Sequence, residues 1–155
     1  MTSDRVLLAA QGYIELGLYP EAVAELDQLP EQLRESEPVL TLKIAALMAA
    51  RLWEAACAAC ARLRSSSPEC TTGYIHGAFC LHELGRTTEA RDLLLSGPAS
   101  LLREPTFHYN LGCYAAVLGE PNEALRHLHR SFEMDSKFRE IARRDPDLKS
   151  VREAL

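Results

Sequence analysis

A Glu-Ala pair recurs four times along the chain, at Glu21-Ala22, Glu54-Ala55, Glu89-Ala90 and Glu123-Ala124. Five residues before each alanine stands a turn residue: Gly17, Ala50, Gly85 or Gly119. Twelve before it stands a first-helix contact: Ala10, Lys43, Ala78 or Gly112. Four after it comes Leu26, Ala59, Leu94 or Leu128. The starts implied are Ser3, Ser36, Thr71 and Pro105, in steps of 33, 35 and 34 residues. A near-constant period of this size, built as helix–turn–helix, implies a stacked array, because one such pair cannot bury its own apolar face. The expected fold class is therefore all-α.

Composition agrees. Alanine and leucine dominate and aromatics make up only 6%, a balance that favours helices over strands. Breakers at Gly17, Pro30, Pro38, Pro68, Gly85, Pro98, Pro105, Gly119 and Pro146 cut the chain into pieces of helix length. With 155 residues and 47% hydrophobic content, the chain is long enough to bury a core as one domain spanning 1–155. The formal net charge of −5 argues against nucleic acid, whose binders present a clustered basic face. No apolar run approaches the length of a membrane span, and the N-terminus lacks the pattern of a signal peptide. Five cysteines outside any loop-rich framework predict free thiols and a cytoplasmic location.

The repeated residues resemble tetratricopeptide repeats. The fourth repeat matches best (Leu111-Gly112, Gly119, Glu123-Ala124, Leu128), and the third matches well (Tyr74, Ala78, Leu84-Gly85, Glu89-Ala90, Leu94). The first matches in its second half, and the second is degenerate, with Lys43 and Ala50 at positions normally small and glycine. The resemblance implies a right-handed α-α superhelix of four repeats, at about 3–35, 36–70, 71–104 and 105–138, closed by a cap at 139–155. The closing segment, FEMDSKFREIARRDPDL, is similar to that of many bacterial proteins of this class. Asp145-Pro146 reads as an N-cap with proline at the first helical position, predicting helices at about Ser136–Arg144 and Pro146–Ala154. Their apolar stripe would be Phe138, Ile141, Leu148 and Val151.

A longer period overlies the short one. Pro30 and Pro98, 68 residues apart, each break the chain early after a second helix, and each is followed by a short piece ending in another proline. Repeats two and four lack that break. The building block is therefore expected to be a two-repeat unit used twice, with shortened second helices in repeats one and three.

The resemblance places a ligand groove on the concave face lined by the first helices. Carried over repeat by repeat, the facing positions include Leu7, Gln11 and Ile14 from the first and Leu40, Ile44, Leu47 and Met48 from the second. The third and fourth supply Ile75, His76, Phe79, His82, Tyr109, Asn110 and Cys113. An apolar face of this kind marks a binding surface, and methionine adapts to varied partners. The implied function is a non-catalytic scaffold or adaptor that binds an apolar or amphipathic protein segment. The alternatives are self-association, with the groove filled by the chain itself or by a second subunit of a homodimer, and a chaperone of the type III secretion kind. Coverage of the groove by the C-terminal helices, or a register displaced by one, would remove the open surface. The carboxylate clamp that grips heat-shock chaperones is not kept: its positions here are Leu7, Gln11, Thr41, Thr72 and His76.

Catalytic and metal-binding chemistry has little support. Cys57 and Cys60 form a lone CxxC in mid-helix, where packing explains them. His76, Cys80 and Glu83 share a helical face, but Cys80 is expected to turn inward. His108 takes a packing position, while His127 and His129 do not face together. No cofactor or metal is expected. Between Glu15 and Glu37 seven acidic residues meet only Arg34, an ordinary solvated face or a steering surface for a basic partner.

Overall fold

The computed structural model describes residues 2–155; Met1 lies outside the described residues. Ten α-helices follow one another, with no strand among the described residues. The first pair is α1 (Ser3–Glu15) with α2 (Tyr19–Asp27), followed by the single turn α3 (Glu31–Arg34). The second is α4 (Glu37–Ala49) with α5 (Trp53–Ser66) and the third α6 (Thr72–Glu83) with α7 (Thr87–Leu95), followed by a 3₁₀ helix at Ala99–Arg103. The fourth is α8 (Pro105–Val117) with α9 (Pro121–Met134), and α10 (Lys137–Arg144) opens the cap.

Each pair turns through one left-handed residue: Gly17, Arg51, Gly85 and Gly119, with φ of 74°, 61°, 79° and 78°. These positions stand 34 residues apart throughout. The steps of 33 and 35 expected across the second repeat are thus corrected. Its turn residue is Arg51 rather than Ala50, and its crossing alanine is the buried Ala56 rather than the exposed Ala55. The absence of glycine hid the turn, since arginine seldom adopts that conformation.

The two-repeat unit is present. The second helices measure 9, 14, 9 and 14 residues, short where Pro30 and Pro98 stop them. The bounds of α4 and α5 recur 68 residues later in α8 and α9 without insertion or deletion.

Packing follows the small residues. A Cβ on Gly112 would stand 2.6 Å from Leu128 Cγ and 3.2 Å from the Ala124 carbonyl, so α8 can lie against α9 only without one. Two further glycines mark the seam between the doublets. Cβ atoms at Gly73 and Gly77 would fall 2.8 Å from Arg64 Cγ and 2.6 Å from Arg64 Nη1. Arg64 lies across this seam, donating to the Gly73 carbonyl at 2.9 Å, with its guanidinium 5.9 Å from the centre of the Tyr74 ring. The equivalent residues of the first doublet, Arg5 and Ala9, are exposed.

The cap departs from expectation in its last part. The helix expected at about Ser136–Arg144 is α10, but Pro146–Ala154 is two separate 3₁₀ turns, Pro146–Leu148 and Arg152–Ala154. Leu148 and Val151 are both buried, and a tight turn stacks residues three apart on one side. Ile141 is exposed, and Ala142 takes the buried position expected of it.

Candidate functional site: a concave face closed at one end

The constant interval arranges the concave face in three rows. Leu7, Thr41, Ile75 and Tyr109 form the first; Gln11, Ala45, Phe79 and Cys113 the second; Ile14, Met48, His82 and Ala116 the third. In every row the member on the fourth pair is buried. Gln11, Thr41 and Ala45 are exposed, Ile14 and Met48 are half-buried, and Tyr109, Cys113 and Ala116 are buried.

The closure has a visible cause. The segment following α10 lies against α6 and α8. The Tyr109 hydroxyl donates to Asp145 Oδ2 at 2.6 Å, and the Cys113 thiol approaches the same oxygen at 3.6 Å. Asp145 Oδ1 caps its own turn, accepting the Asp147 amide at 3.0 Å, and Arg152 donates to the Asp145 carbonyl at 2.8 Å. Asp147 Oδ2 is 2.8 Å from His82 Nε2, and His82 Nδ1 is 2.9 Å from Thr87 Oγ1. The Tyr109 ring packs on Phe138 at 5.0 Å between centroids. Leu148 completes the seal and is fully buried.

These contacts set the electrostatics. The hydrogen bond to the Asp147 carboxylate holds the His82 pKa above the usual histidine value. Burial, then the Asp145 charge, pushes the Cys113 thiol up. Burial also raises Tyr109, whose hydroxyl therefore stays a donor. On α6, desolvation lowers the pKa of His76.

Cys113 Sγ and carboxylate oxygens of Asp145 and Asp147 lie within 4.8 Å of one another, a spacing that a metal ion would accept. Hydrogen bonding accounts for the cluster instead. Asp145 accepts from Tyr109 and from the Asp147 amide, Asp147 is engaged by His82, and a raised thiol pKa opposes the thiolate a metal requires.

Several expected groove residues lie elsewhere. Leu40 and Ile44 are 0% exposed and Leu47 is 6% exposed, packed with Ala56, Cys60 and Leu63 in the core. The displaced register exchanged core positions for facing ones; Thr41, Ala45 and Met48 are the residues that face outward. Ile75, Tyr109 and Cys113 are buried. His76 and Asn110 are half-buried, and Phe79 is half-buried with its ring 5.8 Å from that of Trp53. Leu7 packs at the edge of the first core cluster with Ile14, and Gln11 reaches Glu15 at 3.4 Å. Cys80 turns into the core as expected, and His108 is buried, bonded to the Leu102 carbonyl at 2.9 Å. Sequence reading missed Asp145 and Asp147 as partners of the concave face.

Comparison with solved structures follows this geometry. The chain is similar to MamA MSR-1 C2 with a TM-score of 0.72 at 17% identity, over 89% of this chain and 82% of that one. It is similar to a mutant MamA with a TM-score of 0.70 at 18% identity, over 87% of this chain and 78% of that one. The chain has the tetratricopeptide-repeat solenoid fold. At this identity the likeness concerns the fold alone. No protein-family model matches the chain, and neither does any curated protein. Among the described residues, no helix is long and apolar enough to cross a membrane.

Proposed function

We propose that the protein is a non-catalytic interaction scaffold that binds a protein segment along the open part of its concave face. One observation carries this reading: the face is exposed or half-buried on α1 and α4, whereas the chain's own C-terminal segment engages His82, Tyr109 and Cys113. The open part offers Leu7, Ile14 and Met48 as apolar contacts, Gln11 and Thr41 as polar ones, and Phe79 and His76 at its far limit. That mixture suits an amphipathic segment laid as a helix in the groove or extended along it. The solenoid fold supports a protein partner in general.

The test is affinity capture from the source organism with wild type and Met48→Asp, alongside light scattering. Met48 is half-buried at the surface of the second core cluster, so a carboxylate there remains wetted. We expect both proteins to be monomeric and the variant to lose the captured protein. Identical capture by both would overturn the reading. A wild-type dimer that Met48→Asp dissociates would replace it with self-association.

A further inference from the structure

The cap brings three guanidinium groups to one cavity. It has a volume of about 140 Å³ and lies between Phe132 near the end of α9, Arg139 and Arg143 on α10, and Arg152 and Leu155 at the final 3₁₀ turn. Among the described residues, no aspartate or glutamate lines it. Arg139 and Arg143 project from a different side of α10 than Phe138, whose ring meets Tyr109, so the cavity is separate from the concave face.

The free chain gains nothing electrostatically from this arrangement. Arg139 and Arg143 stand four residues apart on one helix, where like charges repel, and Arg152 adds a third cation from a separate element. Arg143 is offset by Glu140 at 2.9 Å, whereas Arg139 and Arg152 form no ion pair among the described residues. From 137 to 155 six cations meet four acidic residues, on a chain whose net charge is −5. The three groups are nevertheless oriented. The Arg139 guanidinium lies 5.1 Å from the centre of the Phe132 ring, Arg152 donates to the Asp145 carbonyl at 2.8 Å, and Glu140 accepts from Arg143. Oriented guanidiniums without a counter-charge keep N–H donors free for an anion and lose little freedom on binding it.

We propose that this cavity binds a phosphoryl group, as the dianion of a phosphate monoester. Size, charge and shape each bear on the choice. At a share of ~30 Å³ per water the cavity holds about five waters, room for a phosphoryl group and its ester oxygen but not for a nucleoside or a sugar. With Arg143 paired to Glu140, the unpaired cations are Arg139 and Arg152, which together match a monoester charge near −2. A planar carboxylate is met in full by one guanidinium fork, whereas the three terminal oxygens of a phosphoryl group accept from forks that converge from α10 and from the final turn. The bound group would tie α10 to that turn. The site is independent of the concave groove, and its occupant need not be the segment bound there.

The test titrates three probes into the full chain: a blocked alanine–phosphoserine–alanine tripeptide, its aspartate counterpart and glycerol phosphate. Amide shifts in NMR locate the binding. We expect the phosphopeptide to shift residues 132, 139–143 and 152–155 and to leave α1 and α4 unmoved. The aspartate peptide should bind at least about tenfold more weakly. A response to the phosphopeptide alone assigns the site to a phosphorylated protein, and an equal response to glycerol phosphate assigns it to small phosphate esters; both uphold the phosphoryl site. Arg139→Gln/Arg152→Gln should weaken binding by about tenfold or more, the worth of one hydrogen bond to a charged group. No response to any probe, equal binding of the aspartate peptide, or equal binding by the double variant would overturn the proposal. Shifts confined to Leu7, Gln11, Ile14 and Met48 would also overturn it and would leave the concave reading standing. Arg139→Gln alone keeps the contact of Arg152 with Asp145 and gives the same discrimination should the double variant fail to fold.

Discussion

Arg51 holds a left-handed backbone at φ 61° where the other three turns place glycine. An L-residue there costs roughly 1 kcal/mol, part of which glycine's freedom in the unfolded chain would offset. Arg51→Gly should therefore raise stability by up to about 1 kcal/mol, whereas Gly85→Ala should lower it by about the same amount or more. Urea unfolding of both variants checks the pair. His82 supplies a pH response at the same scale. Its folded pKa is raised, first by the hydrogen bond to Asp147, above an unfolded value near 6.5. The stabilisation is thus complete below that value and is lost as pH rises through the folded pKa. Wild type should lose stability across this window relative to His82→Gln, and Asp147→Asn should flatten the response in the same way. Equal pH profiles for wild type and His82→Gln would refute the assignment.

Among the elements, the closing segment has the largest structural effect for its length. Leu148 is fully buried against α8, so Leu148→Ala should cost about 2–5 kcal/mol locally. It should also release Asp145 from Cys113, and a thiol reagent should then modify Cys113 faster than in wild type. Unchanged thiol reactivity would show that the seal does not depend on Leu148. The helices themselves were readable from the sequence, because Pro30, Pro98 and three glycines punctuate them and small residues mark their crossings. Two features were not. The second turn bears arginine, which carries no turn signal, and the resulting slip by one residue sent Leu40, Ile44 and Leu47 to the wrong side of α4. The concave contacts of Asp145 and Asp147 join residues 36 and 65 positions apart, a distance over which periodicity is silent. The N-cap role of Asp145 was legible because it is local.

At the scale of the whole molecule, two doublets meet at a seam kept narrow by Gly73 and Gly77. Stability in such arrays is a sum of unit terms and neighbour interfaces, so the seam sets whether the doublets unfold together. The single tryptophan, Trp53, packs on Phe79 across the seam and reports the joint between the doublets, while far-ultraviolet circular dichroism reports both doublets. The two signals should coincide in wild-type denaturation. In Gly77→Leu, whose side chain collides with Arg64 and Leu93, the tryptophan transition should come earlier than the dichroism transition. Coincident transitions in that variant would mean that the seam is not the weak joint. The seal at the far end has a directional consequence. A trough with one stopped end admits a proposed ligand from one side only and fixes where its leading terminus halts. Such a trough measures a segment from its tip and distinguishes a sequence from its reversal, whereas one open at both ends allows a segment to slide.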